Sequence, residues 1–582
     1  AVTDLAAYFD DEITAMPNLV TVGAGGTAST VAGIPFYSAD TSSIYTTDVS
    51  GTDSTASGNA AYGYQAMDAI TTGDSNTAVG FAALGANTSG AENTAVGKGA
   101  LDANTTAASN TAIGFSSMST NTTGANNTAV GRDSLFSSTT SDDNTAVGYS
   151  AMVSNTTGAG NTALGKNALY ANTTGTRNLG IGFGAYDASD TENDNMAIGY
   201  NAMTTNTAGG TLNVAVGNYS LDALTSGDSN VGVGHNSLGA NNSGNRNTAI
   251  GDDALKAHTT GNNNVAVGYQ TLLADTTGAQ GVAIGYRALM ANTTAADNTA
   301  VGATALTANT TGASNTAVGK DALAANTTAD NNTAVGFDAL TANTTGADNT
   351  AVGYYALLAN TTATRNTAIG SDALAANTTG DNNTAVGKAA LAANTTADDN
   401  VAIGYNALLA NTTGDRNTAI GKDVMKTNTT GNYTVAIGHR TLELMTTANS
   451  NTAIGYISMG EMTTGSNNVA VGRASLITTT TANDNTALGF YALTLNTTGA
   501  GNTAVGKHSL YSNTTAADNT AVGLNALYAN TTGTHNIGIG AYSGDSVTTG
   551  SRNVAIGTAA YAGSDTENDN VAVGYNAMTT NT

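Results

Sequence analysis

The sequence predicts an all-β chain, a repetitive parallel β-roll or β-solenoid whose coils are 17 residues long. Three observations predict it. A five-residue motif, "NTAVG" and its variants, returns at a fixed interval. With its Asn as position zero, the registers fall at every seventeenth residue from 59 to 195 and from 213 to 570. That makes 31 registers, with one 18-residue spacing between 195 and 213. Position four is Gly in every register, from Gly63 to Gly574. Position three is Val, Ile or Leu in all but one, where Tyr62 stands in, and position eight is Leu or Met in 28. A short fixed period of this kind marks units that stack, because one unit alone cannot bury its apolar face.

Residues 1–58 precede the repeat. "TDLAAYFDDEITAM" places Leu5, Phe9 and Ile13 at helical spacing and ends at Pro17, which predicts a short helix. It leads to "NLVTVGAGG" and "STVAGIPFYS". The segment is expected to cap the open edge of the first coil or to dock the chain on a larger particle or surface. Residues 59–582 form the predicted shaft. In each unit "TAV" is a short strand, and the Gly after it is a turn. The next run, "xxAL", is expected to be a second strand, and "ANTTGxx" the return turn. A helical reading fails, because the invariant Gly and the Asn-Thr-Thr clusters would interrupt every helix.

Stacking turns columns into ladders. The candidate structural ladders are Asn315, Asn332 and Asn349; Val318, Val335 and Val352; Gly319, Gly336 and Gly353; and Leu323, Leu340 and Leu357. The Val and Leu rows are expected to form the interior. Position two, Ala or Gly throughout, is expected to be a small outer face that another backbone can approach. The Asn side chains are expected to be buried and to satisfy turn amides of neighbouring coils. Two or three buried aliphatic side chains per coil stabilise by roughly 1.5–3 kcal/mol each. Ordering seventeen residues costs roughly 1 kcal/mol or more apiece. A lone roll is therefore marginal, and a homo-oligomer is expected. An intertwined triple β-helix, with strands of three chains sharing each coil, is the alternative fold.

Composition excludes several classes of function. The net charge is −25, from 17 Lys plus Arg against 42 Asp plus Glu, so the nucleic-acid backbone would be repelled. There is no Cys, and hence no disulfide scaffold or thiolate metal site. No run of about eighteen apolar residues occurs, so no membrane-spanning helix is expected. No catalytic constellation, cofactor motif or metal site is predicted. His235, His258, His439, His508 and His535 fall at different register positions and are expected to be surface substitutions. The acidic clusters "SDDN" at 141–144 and "TENDN" at 191–195 match no calcium loop and are expected to be solvated turns. The "GxG" at Gly182–Gly184 belongs to the repeat. The glycosylation pattern at Asn326, Asn343 and Asn360 is expected from the turn alone. Stacked Thr327, Thr344 and Thr361 raise ice binding. A binder would need two parallel rows on a flat exposed strand, whereas these threonines lie in the return turn.

At "NTAVG", "NVAVG" and "NVAIG" the chain resembles the repeated motif of trimeric autotransporter adhesin heads. The "NTAxGxxAL…NTTG" form also resembles repeat regions of phage tail fibres. The spacing here is seventeen residues rather than the adhesins' usual fourteen. The resemblance implies a homotrimeric fibre involved in attachment, in a virion or at a cell surface. The signal peptide, stalk and membrane barrel of the autotransporters are not visible in the sequence. "DTENDNMAIGYNAMTTNT" at 190–207 returns as "DTENDNVAVGYNAMTTNT" at 565–582, which suggests that the shaft continues to a receptor-binding tip beyond Thr582. The expected role is a non-enzymatic structural fibre, foremost a phage tail or capsid fibre. The alternative is a bacterial adhesin or extracellular filament.

Overall fold

The computed structural model describes residues 29–31, 34–36, 44–45, 55–563 and 565–580. The short helix expected in "TDLAAYFDDEITAM", residues 3–16, lies outside them. Ser29–Val31 and Ile34–Phe36 pair as an antiparallel hairpin. The described remainder is a parallel β-solenoid without helix, in two compact units, residues 1–281 and 282–582.

In the first unit Ile44–Tyr45 pairs with Ala60–Ala61. Thirteen three-residue strands then follow from Ala60–Tyr62 to Val265–Val267. The second unit carries eighteen, from Val282–Ile284 to Val571–Val573. Within each unit every strand is parallel to the next and in register: Thr316 on Thr333, Ala317 on Ala334, Val318 on Val335. The chain stacks on itself, residue type over residue type. The 18-residue spacing leaves the register intact, with Met196 opposite Val214.

The coil differs from the expected roll in two respects. The "xxAL" run is no strand. Asp321 and Leu323 have φ of 55° and 52°, and Asp338 and Leu340 have φ of 53° and 52°. Alternate left-handed residues cannot hold an extended pleat. The run nevertheless bonds coil to coil, with Leu323 N–H donating to Ala339 O at 3.0 Å and Ala325 N–H to Thr341 O at 3.0 Å. Each coil thus has one strand.

The strand also faces the other way. Ala317, Ala334 and Ala351 are fully buried, while Val318 is 36% exposed and Val335 and Val352 are half-buried. The small column expected to face outward is the inner lining, and the Val row is outside. The reason is the position-eight side chain. A methyl built on Gly180 or Gly538 in the position-two column would lie 3.2 Å from Leu169 Cγ or 2.8 Å from Leu527 Cγ. Leu fills the space in front of the strand and leaves room only for Ala or Gly. Leu323, Leu340 and Leu357 are buried as their column requires.

Position four is glycine for a steric reason. Gly336 has φ +142°, and a Cβ there would sit 2.3 Å from the carbonyl oxygen of Gly353. Successive coils touch backbone to backbone at this corner, so any side chain would force them apart.

Candidate functional site

The interior holds two asparagine ladders. In the position-zero column, Asn315 Oδ1 accepts the backbone N–H of Asn332 at 2.9 Å, and Asn332 Oδ1 accepts that of Asn349 at 3.0 Å. Each Nδ2 crosses the coil to a turn carbonyl: Asn315 to Ala329, Asn332 to Gly346, Asn349 to Ala363. In the position-eleven column, Asn326 Nδ2 donates to Asn309 Oδ1 at 2.9 Å, and Asn343 Nδ2 to Asn326 Oδ1 at 2.9 Å. All are buried. The uncharged amide carries a carbonyl acceptor and two N–H donors on one side chain, so a column of them satisfies buried turn amides in coil after coil. The burial of Asn326, Asn343 and Asn360 in this inner ladder also explains "NTT" without any sugar.

His258 breaks the second ladder, and of the five histidines it is the one whose expected surface position is overturned. It stands in the position-eleven column, fully buried, with Nδ1 2.7 Å from Asp275 Oδ2 and Nε2 2.8 Å from Gly261 O. Both ring nitrogens face acceptors, Asp275 on one side and the Gly261 carbonyl on the other. His235 is exposed, with Nδ1 3.1 Å from Asp252 Oδ1. Together with Asp253 it brings three ligand atoms within 4.8 Å of one another. Asp253 already pairs with Lys256 at 3.0 Å, which ties the cluster into the surface.

The acidic turns are tied down as well. Asp142 accepts the backbone N–H of Ala125 at 2.7 Å. Buried Glu192 accepts the N–H groups of Asp190, Thr191 and Gly209. Arg177 bonds Asp194 at 2.6 and 2.8 Å, and that hydrogen bond holds the Asp194 carboxyl below its ordinary pKa. Tyr186, at an exceptional position eight in the same coil, is buried, and its hydroxyl accepts from Asn195 and Asn206. Burial raises its pKa.

Position five carries a further pattern. Phe81, Lys98, Phe115, Arg132, Tyr149, Lys166 and Phe183 stack in alternation, each cation between two rings at 5.3–5.8 Å. The signal was present: eight of the 17 cations fall in this column. Alternation avoids like-charge stacking at one sheet spacing and adds cation–π attraction.

Among the described residues no helix is long and apolar enough to cross a membrane. No family model matches the chain, and no curated protein matches its sequence.

Proposed function

We propose that the protein is a structural fibre, an attachment shaft without enzymatic activity, foremost a phage tail or capsid fibre. The observation that carries this reading is the uniformity of the coil-to-coil bonding. The same backbone bonds, Asn ladders and Gly contacts recur in coil after coil of each unit, which is what a uniform shaft requires. Solenoids of this kind are quasi-one-dimensional, each coil held only by its neighbours, and such a body suits a spacer.

Three copies are proposed to associate side by side. With the position-two alanines inside, the alanines left outside include those of positions nine and ten, such as Ala324, Ala325, Ala375 and Ala376, all half-buried. Their small side chains permit close approach of a second coil. Residues 1–58 are proposed to anchor the fibre to a larger particle or surface, and a tip beyond the shaft to meet a receptor. A bacterial surface adhesin or extracellular filament is the second reading, favoured by the resemblance of "NVAIG" to adhesin-head repeats. The full-length gene discriminates the two: a secretion signal and membrane barrel support the adhesin. Native mass spectrometry with electron microscopy of the purified chain tests the fibre. Three chain masses in an elongated particle are expected, and a monomeric globule would overturn the reading.

A further inference from the structure

Threonine fills three columns of the coil, and at positions twelve and one it does opposite things. At position twelve the hydroxyls bond inward along the stack, Thr310 to Thr327 O at 3.0 Å, Thr327 to Thr344 O at 3.1 Å and Thr344 to Thr361 O at 3.0 Å. At position one, on the outer strand face, the hydroxyls of Thr316, Thr333 and Thr350 have no hydrogen-bond partner among the described residues. Beside them on the same face runs position three, Val, Ile or Leu, with Val318 and Ile369 36% and 41% exposed. No charged residue occupies position one or three in any of the 31 registers, in a chain of net charge −25. This neutral double row is the one that stacked Thr327, Thr344 and Thr361 could not supply.

We propose that this strand face binds the surface of ice. In-register parallel pairing sets outward side chains about 4.8 Å apart along the stack and roughly 6.6 Å apart across the strand. Water oxygens exposed on the prism plane of ice repeat on a net of similar dimensions. β-Branched Thr and Val are stiff at χ1, so the net is held before ice is met. Free hydroxyls accept and donate to lattice water, and the methyl groups beside them order the water between. A strongly charged face would hold its own hydration shell; this face carries none. Two blocks of six successive coils have Thr outward at position one with Val, Ile or Leu at position three. They run from Thr77–Val79 to Thr162–Leu164 and from Thr299–Val301 to Thr384–Val386.

The test uses the full chain in slowly grown ice and in a thermal-hysteresis assay. Enrichment in the ice fraction and concentration-dependent hysteresis are expected. A variant with Thr111→Lys, Thr128→Lys, Thr333→Lys and Thr350→Lys should keep the circular dichroism of the parent and lose both activities. Thr328→Lys, in an exposed turn, should keep them. Exclusion of the folded parent chain from ice, or full activity of the quadruple variant, would overturn the proposal. So would protection of a Thr333→Cys thiol from labelling in the native assembly, since a second copy would then cover the face.

Discussion

Replacing Asn332 by Ala removes one rung of the inner ladder and leaves the strand outside untouched. The lost side chain accepted the N–H of Asn349 at 3.0 Å and donated to Gly346 O at 2.9 Å. The two deficits are unequal. Gly346 O keeps a second donor, Asn343 Nδ2 at 2.9 Å, so it is only under-satisfied. The Asn349 N–H is left buried with no acceptor. Each unsatisfied buried group costs about 1–3 kcal/mol, and the asymmetry puts the total near 2–4 kcal/mol. Because coils are coupled to neighbours, the loss should be local. Hydrogen exchange read residue by residue should show the Asn349 amide losing that much protection, with coils several registers away unchanged. Thr333→Ala, one residue along on the outer face, is the control and should change protection by less than about 0.5 kcal/mol. Equal effects of the two substitutions, or no effect at Asn349, would refute the inward orientation of the Asn column.

Other substitutions probe the remaining columns. Ala334→Val overfills the space in front of Leu and should destabilise by about 1–3 kcal/mol in chemical denaturation, whereas Val335→Asp, on the outer face, should change stability far less. Gly336→Ala places a methyl 2.3 Å from Gly353 O and should cost several kcal/mol, seen as poor folding or a much lower Tm. Asp275→Asn strips the buried His258 of its carboxylate and should cost about 3–5 kcal/mol. The double variant His258→Asn with Asp275→Asn restores an Asn rung and should recover most of it in a double-mutant cycle. Thr434→Asn should stabilise its coil, because Thr434 Oγ1 lies 3.4 Å from the Asn451 N–H that a standard rung holds at about 2.9 Å.

The period and the identity of the columns were legible because stacking makes each position answer to its twin. Burial of Asn315 and Leu323 was legible too, since neither column tolerates much variation. The facing of the strand was misread. Hydrophobicity favoured Val318 over Ala317 for the interior, although Asn315 and Ala317 share a parity along the strand, so a buried Asn requires a buried Ala. The left-handed Asp321 and Leu323 were not legible, because Leu seldom adopts that conformation and gives no local signal for it. His258 looked like a stray surface residue because the five histidines share no register position, and its own column lies in the "ANTTG" return turn.

The central claim is that each coil lies directly on its neighbour, seventeen residues along, within one chain. The sequence has no Cys, so an engineered pair reports on this directly. Val318→Cys with Val335→Cys places two thiols on adjacent in-register strands, within disulfide reach, while Val318→Cys with Val352→Cys places them two coils apart. Mild oxidation should close the first pair as an intrachain disulfide in the folded protein and leave the second open. Closure of the second pair in preference, or interchain disulfides from the first, would contradict the stacking.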